Sequence, residues 1–135
     1  MVQTLFRPHF LGDKYPNIDV IVELVGAPVT FTPLFFAQIK ATERGLTPGG
    51  HLPVQVTADA LNRLTAYPVP TYIIGVDNTR RGVSYIVAAV AGGPAYFRSL
   101  PTTHRLNATT RKQLFDEVLD FWRQHPASFA ASRFV

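Results

Sequence analysis

Cysteine is absent from the 135-residue chain, and only 16% of its residues are charged. Without cysteine the protein has no disulfide framework, no thiolate nucleophile and no cysteine-ligated metal site, which fits a reducing compartment. No apolar run approaches the ~20 residues of a membrane span. The N-terminal stretch "MVQTLFRPHF" lacks the charged start and long apolar core of a signal peptide. We therefore predict a cytoplasmic protein with no membrane partner.

The charge balance is mildly basic. Lysine and arginine number 13 against 9 acidic residues, which gives a formal net charge of +4. This excess permits contacts with nucleic-acid phosphates but does not demand them. Because 47% of the residues are hydrophobic and few are charged, part of the surface is expected to be apolar, and a homodimer is one expected assembly. The length fits a single domain over residues 1–135.

Hydrophobic periodicity and turn residues predict the order strand, strand, helix, strand, strand, helix. The predicted strands are 18–25, 34–42, 70–77 and 83–90, and the predicted helices are 56–67 and 107–125. Thr57 is the expected N-cap of the first helix, and Thr109 or Thr110 that of the second. Residues 1–17 are expected to form an irregular arm and residues 126–135 a loose tail. The order predicts an α/β (α+β) fold, a mixed central sheet of about four to five strands flanked by helices.

Two polar residues interrupt the apolar strand "LFFAQIKAT". Gln38 and Lys40 are two positions apart, so they share one face of the strand. Asp19 opens the preceding predicted strand and approaches both if the two strands are neighbours. Carboxylate and amide oxygens suit Mg²⁺, and a nearby lysine can orient water or stabilise charge on a phosphate. These are the parts of a metal-dependent phosphodiester hydrolase.

A simpler interpretation of the same strand needs no ligand. Lys40 could extend its ammonium to water along the surface, and Gln38 could hydrogen-bond a neighbouring backbone group. The pair would then be the polar face of an edge strand. The spacing alone leaves both interpretations open.

The wider pattern resembles a known nuclease superfamily. An aspartate, a β-hairpin and an acid-x-Lys strand form the PD-(D/E)xK signature, and "NID" at 17–19 with "QIK" at 38–40 resembles its variant with glutamine at the acid position. More specifically, "NIDVIVEL" followed by "FFAQIKAT" resembles the DUF4365 pattern "GID…vEl…f.vQ.K.t", and "LTAYPVPTYIIGVD" resembles the family's later helix, proline and strand. The resemblance spans roughly residues 12–125.

The resemblance implies a restriction-endonuclease-like core that hydrolyses phosphodiester bonds in nucleic acid, with DNA favoured over RNA. Asp19 matches the motif aspartate, a catalytic metal ligand, and Gln38 matches the second ligand position. Lys40 matches the catalytic lysine. The implied cofactor is Mg²⁺ or Mn²⁺.

The chain departs from the family upstream of the aspartate. Related nucleases usually carry a helix there with a glutamate that contributes to the site, whereas residues 1–18 contain no glutamate and only Asp13 as a further acid. The expectation is that this helix has been lost or cut off. Glu23 shares the strand face of Asp19, but four residues along a strand place it ~13 Å away. Asp19 is therefore the one firm carboxylate of the predicted site.

Nucleic-acid contacts are predicted at two basic groups. Arg80 and Arg81 lie in the loop of a predicted hairpin, and Arg105, Arg111 and Lys112 surround the start of the last helix. Basic residues at a helix N-terminus oppose the helix dipole, which favours a phosphate-facing role. The alternative for both groups is a solvated loop or helix surface.

Two further residue types carry no predicted site. Asp77 is interpreted as a cap of the hairpin "DNTRRG". The four histidines have no metal-binding spacing, so no zinc site is predicted.

Three hypotheses remain open on the sequence. The first is an active metal-dependent nuclease. The second is a catalytically inactive nuclease-fold module that binds nucleic acid or a protein partner, and the third is a structural oligomerisation domain. Metal-dependent cleavage separates the first from the others, and salt-dependent binding without cleavage marks the second.

Overall fold

A computed structural model describes residues 4–12, 16–125 and 129–134. Its elements are β1 (Phe6–Phe10), β2 (Val20–Leu24), β3 (Leu34–Thr42), α1 (Ala58–Ala66), β4 (Thr71–Asp77), β5 (Val83–Ala88) and α2 (Ala108–Gln124). The five strands form one sheet in chain order. β3 and β4 run parallel, and the other neighbours are antiparallel. The predicted mixed sheet with helices, an α+β fold, is confirmed.

The two helices cover opposite faces of the sheet. Leu61 and Leu64 of α1 belong to a buried cluster with Ile73 of β4. Val118 of α2 belongs to a second cluster, which contains Phe35 of β3. We call these sides the α1 face and the α2 face. Alternate residues of β3 point to alternate faces, so the strand takes part in both layers.

A pair of loops completes the cover over the α1 face. Leu52 pairs antiparallel with Leu100, and Val56 pairs with Phe97. A Cβ on Gly75 of β4 would lie 2.5 Å from Leu52 Cδ2 and 2.7 Å from Leu100 Cδ2. The missing side chain at Gly75 therefore lets both leucines pack directly on the sheet.

One of the two predicted helix caps is correct and the other is wrong. Thr57 caps α1 by accepting a hydrogen bond from the Ala60 N–H at 3.2 Å. The cap of α2 is Asn107, not Thr109 or Thr110. Asn107 Oδ1 accepts from the Thr110 N–H at 3.0 Å, and Thr110 Oγ1 accepts from the Asn107 N–H at 2.8 Å. This reciprocal pair satisfies two free backbone donors, which a cap at Thr110 alone would not do.

The prediction of an irregular arm over residues 1–17 is wrong for Phe6–Phe10. These residues form β1, an edge strand paired with β2. Leu5 O accepts a hydrogen bond from the Val25 N–H at 2.8 Å, and the Leu11 N–H donates to Asp19 O at 2.9 Å. Odd-numbered residues of β1 therefore turn their backbone groups toward β2, and the backbone of Pro8 faces outward. The missing N–H of Pro8 removes no sheet hydrogen bond, so the proline does not break the strand.

The chain termini extend beyond these elements. Residues 1–3 and 13–15 of the predicted arm, and 126–128 and 135 of the predicted tail, lie outside the described residues. Residues 129–134 contain no helix or strand, and Phe129 and Phe134 are exposed. Among helices of the described ranges, none combines the length and hydropathy that crossing a bilayer requires.

Pro8 is expected to guard the open edge of the sheet. Replacing it in Pro8→Thr adds an outward N–H between those of Phe6 and Phe10, so the edge offers a continuous row of donors to another strand. We expect concentration-dependent self-association above that of the wild type, measured by size-exclusion chromatography with light scattering. The matched control is Pro48→Thr, an exposed loop proline. An unchanged association state of Pro8→Thr would show that the proline has no guarding effect.

Candidate active site

Asp19 lies beside β3 immediately before the regular β2–β3 pairing begins. Val20 is the first residue of that register and pairs with Ala37. The Asp19 N–H also donates to Ala37 O, at 3.0 Å, so two residues of one strand face one residue of the other, as in a β-bulge. The two strands are therefore neighbours, as the predicted site required.

The Asp19 carboxylate is fixed against β3. Its Oδ2 accepts a hydrogen bond from the Ile39 N–H at 2.6 Å. A short hydrogen bond from a backbone donor to a charged oxygen is among the stronger kinds in proteins. No described residue donates to Oδ1. The carboxylate is thus oriented by one oxygen and keeps the other for a further partner.

Gln38 is buried with half of its carboxamide unpaired. The side chain is 6% exposed, and its Nε2 donates to Asn17 Oδ1 at 3.4 Å. Within the described residues, Gln38 Oε1 is the one buried side-chain oxygen or nitrogen without a hydrogen-bond partner. Such an unsatisfied acceptor destabilises a fold by about 1–3 kcal/mol. A ligand that accepts an electron pair from Oε1 would remove this penalty.

Asn17 shapes the approach to this pair. Its φ of +66° lies in the left-handed region, which asparagine tolerates better than most residues. The bend directs the chain into β2 and holds the Asn17 carboxamide against Gln38. Asn17, Asp19 and Gln38 therefore form one connected group at the start of the β2–β3 hairpin.

Lys40 lies one step further along the same face. Its position is half-buried, and its partner in the parallel register is Gly75. None of the ion pairs between described residues involves the Lys40 ammonium. Gln38 and Lys40 thus share the α1 face of β3, and the Asp19 carboxylate is bound to the N–H of Ile39 between them.

The donor set suits a hard, hydrated cation. Asp19 Oδ1 and Gln38 Oε1 are hard oxygen donors, and Mg²⁺ is often bound through one or two protein oxygens while it keeps several waters. Among the described residues, no group of three or more histidines and acids could enclose a metal ion. The residues present fit a shared ion that also contacts substrate, and they do not form a closed protein cage.

Glu23 belongs to a different part of the sheet. One carboxylate oxygen lies 3.4 Å from Arg7 Nη1, and the other lies 3.1 Å from His9 Nε2. Both partners are on β1, at the edge strand. Glu23 therefore ties β1 to β2 and adds no ligand to Asp19, in agreement with the separation expected from the sequence.

No protein-family model, curated protein or solved structure matches the chain. The resemblance to DUF4365 therefore rests on the sequence motif alone.

The motif does not predict two groups of the site. They are the Asn17 side chain, which accepts from Gln38 Nε2, and the Ile39 N–H, which donates to Asp19. The role of Asn17 could have been inferred from its position at the end of the turn sequence "YPN", immediately before a strand. The role of the Ile39 N–H could not, because it depends on the strand register.

The predicted nucleic-acid residues are not brought together. Arg80 lies on the α1 face, where its Nε donates to Asp77 Oδ2 at 3.2 Å and its Nη2 to Tyr85 Oη at 2.9 Å. Arg81 is exposed in the hairpin loop. The backbone of Arg105 lies beside β5 through a bridge to Tyr85.

The remaining two basic residues belong to α2, on the opposite side of the sheet. Lys112 Nζ pairs with Asp116 Oδ1 at 3.0 Å and lies 5.1 Å from the ring centroid of Phe115. Arg111 lines a cavity on the α2 face. Lys40 and these two residues therefore face different sides of the sheet.

Asp77 is the hairpin cap that the sequence predicted. The carboxylate is 1% exposed, and its Oδ1 accepts hydrogen bonds from the Thr79 N–H at 3.0 Å and the Thr79 hydroxyl at 2.5 Å. The Thr79 hydroxyl is the main cause that lowers the Asp77 pKa, opposed by burial and assisted by the Thr79 N–H and Arg80. The β4–β5 hairpin is thus held by an ionised carboxylate.

The lowered pKa of Asp77 predicts a pH-dependent contribution to stability. The native state holds this proton less tightly than the unfolded chain, so the contribution is present above the ordinary aspartate pKa of 3.8 and is lost as pH falls through the lower native pKa. Asp77→Asn should lower the free energy of unfolding at neutral pH, and the difference from wild type should shrink on acidification. Denaturant titrations along a pH series measure this, with Asp59→Asn as an exposed control. A difference that stays constant with pH would contradict it.

Proposed function

We propose that the protein is a metal-dependent nuclease-like domain with a restriction-endonuclease-like core, which hydrolyses phosphodiester bonds in nucleic acid. The observation that carries the proposal is the unpaired, buried Gln38 Oε1 in the residue before Ile39, whose N–H binds the Asp19 carboxylate. A purely structural position would be more stable with an apolar side chain of similar size, because no polar atom would then lack a partner. An oxygen left free beside a carboxylate is better explained as a ligand.

The topology supports the resemblance on which this function depends. Asp19 precedes the first strand of an antiparallel hairpin, and "QIK" lies on the second strand. Helix α1 then leads to β4, parallel to β3. The DUF4365 pattern has glycine where this chain has Asn17, and the positive φ of Asn17 is a conformation that glycine and asparagine share.

Asp19 and Gln38 would hold the Mg²⁺ or Mn²⁺ ion. When bound there, the ion would polarise the phosphate and lower the pKa of a coordinated water. The hydrogen bond from Ile39 N–H to Asp19 Oδ2 orients the carboxylate before substrate arrives. Preorientation reduces the reorganisation that binding would otherwise require.

Lys40 would contact the phosphate at the reacting centre. Its ammonium stabilises the negative charge that grows on the phosphate oxygens as a water oxygen bonds to phosphorus. The bond from phosphorus to one ester oxygen breaks, and that oxygen leaves with a proton from the attacking water. With no ion pair to a described carboxylate, the ammonium is available for this contact.

A second candidate function is binding without cleavage. It is favoured by the single carboxylate of the site and by the lack of any cluster of three ligands in the described ranges. A cation held by one carboxylate binds weakly unless substrate phosphate assists. The same surface would then bind nucleic acid through Lys40 and Arg80, or a protein partner.

Cleavage assays on Lys40→Ala separate these functions. Labelled DNA and RNA are incubated with Mg²⁺ or Mn²⁺, and we expect wild-type cleavage to fall by about 10²–10³-fold in the variant, the scale for removing one charge-stabilising group. The control Arg63→Ala removes an exposed cation of α1, paired with Asp59, and should cleave like wild type. If the folded wild-type protein cleaves neither DNA nor RNA with either metal, the nuclease proposal is overturned. Salt-dependent binding in that case would support the second function.

Substitutions of Gln38 test the metal ligand without any assay of activity. Gln38→Glu adds a second, buried carboxylate near Asp19, so the metal-free protein should have a lower melting temperature and a larger stabilising shift with Mn²⁺ than wild type. Gln38→Met keeps a similar volume but removes the free oxygen. It should retain stability and lose the metal-dependent shift. Equal shifts with Mn²⁺ in all three proteins would show that residue 38 holds no metal.

A further inference from the structure

The α2 face contains a cavity that the proposed site does not use. It has a volume of about 220 Å³ and lies between the first half of α2 and strands β1–β4. Phe6 and Phe10 of β1 form one wall, and Leu114 of α2 forms the other. Ile39 of β3 lies between them. Gln38 and Lys40 point to the opposite face, so this cavity is separate from the candidate active site.

The lining of the cavity is apolar. Ten of its eleven lining residues are apolar, and the eleventh, the exposed Arg111, lines it with aliphatic carbons. Water in such a space finds few partners, because it needs two to four polar groups and the walls offer almost none. The cavity therefore favours an apolar occupant, and an anionic end of that occupant would lie at the rim beside Arg111.

Arg111 lacks an ion-pair partner among the described residues. Asp116, five residues further along the helix, pairs with Lys112 at 3.0 Å. The first turn of α2 contains no acidic residue. Because the helix dipole adds positive potential at this end, an anion is the complement of the cavity mouth.

We propose that the cavity binds an acyl carboxylate of about eight to ten carbons, with its chain among the apolar walls and its head group on Arg111. The length follows from the volume, since an apolar cavity of about 150 Å³ accommodates the six carbons of benzene. A carboxylate suits the arginine because the planar guanidinium can donate two parallel hydrogen bonds to its two oxygens. This inference does not depend on the proposed nuclease function.

Calorimetric titration of the full chain with monomeric octanoate and decanoate tests the proposal. The control ligands are the alcohols and amines with the same alkyl chains, which are neutral and cationic respectively. We expect the carboxylates to bind at least tenfold more tightly than the alcohols, and the amines to bind more weakly than both. Equal affinities for carboxylate, alcohol and amine would overturn the role of Arg111.

Two variants identify the site. Arg111→Gln should abolish the preference for carboxylate over alcohol and leave alcohol binding unchanged, whereas the control Arg123→Gln at the other end of α2 should bind like wild type. Leu106→Phe, at a half-buried wall, should fill the cavity and weaken both ligands at least tenfold. Ile74→Phe provides a second filling variant if the first does not fold. Unchanged decanoate affinity in Arg111→Gln, or in a folded filling variant, would overturn the proposal.

A vesicle assay distinguishes a free acid from a lipid surface. The protein is sedimented with phosphatidylcholine vesicles that contain phosphatidylglycerol. Binding of monomeric decanoate with no retention on vesicles supports the cavity as a small-molecule site. Retention on vesicles without decanoate binding would assign the α2 face to a membrane surface and overturn the proposal.

Discussion

The pairing register of the β2–β3 hairpin is the constraint on which the rest of the site depends. Two hydrogen bonds made by Asp19 hold it, one from its N–H to Ala37 O at 3.0 Å and one from the Ile39 N–H to its Oδ2 at 2.6 Å. Because side chains alternate with a period of two, a slip of β3 by one residue would exchange its faces. Gln38 would then enter the core under α2, and the Ile39 N–H would turn away from Asp19. The aspartate therefore both fixes the register and occupies the site that the register creates.

The same alternation gives β3 two chemically different sides. Ala37 and Ile39 contribute to the apolar cluster under α2, whereas Gln38 and Lys40 interrupt the cluster under α1. Lys40 is the register partner of Gly75, on which the loop pair packs Leu52. The polar residues therefore lie near the part of the α1 face that the loops cover. Polar side chains are tolerated there because the lysine remains half-buried rather than enclosed. One strand thus supplies the cavity wall on one face and the proposed metal site on the other.

The sequence predicted those strands whose signal lies within the segment itself. It did not predict a strand whose conformation depends on the neighbouring strand. The bounds of β3 matched the prediction of 34–42 because a mainly apolar segment lies between Pro33 and the turn at Gly45. β1 was missed because a proline in a short segment indicates a break, and only the position of β2 shows that its backbone faces outward. The proximity of Asp19 and Gln38 could be predicted from hairpin logic. The Ile39 donor could not, since backbone donors are assigned by register rather than by residue type.

Basic residues that are close in the sequence do not share one surface of the fold. Arg111 and Lys112 follow closely after Arg105, but the chain passes the edge of the sheet between them and continues on the α2 face. Lys40, Gly75 and Tyr85 lie in register across three strands of the α1 face, which spans ~10 Å. Arg80 binds the Tyr85 hydroxyl at 2.9 Å. Under the proposed function, a nucleic-acid strand that contacts Lys40 would reach Arg80 along one face, and it would not contact the charges of α2.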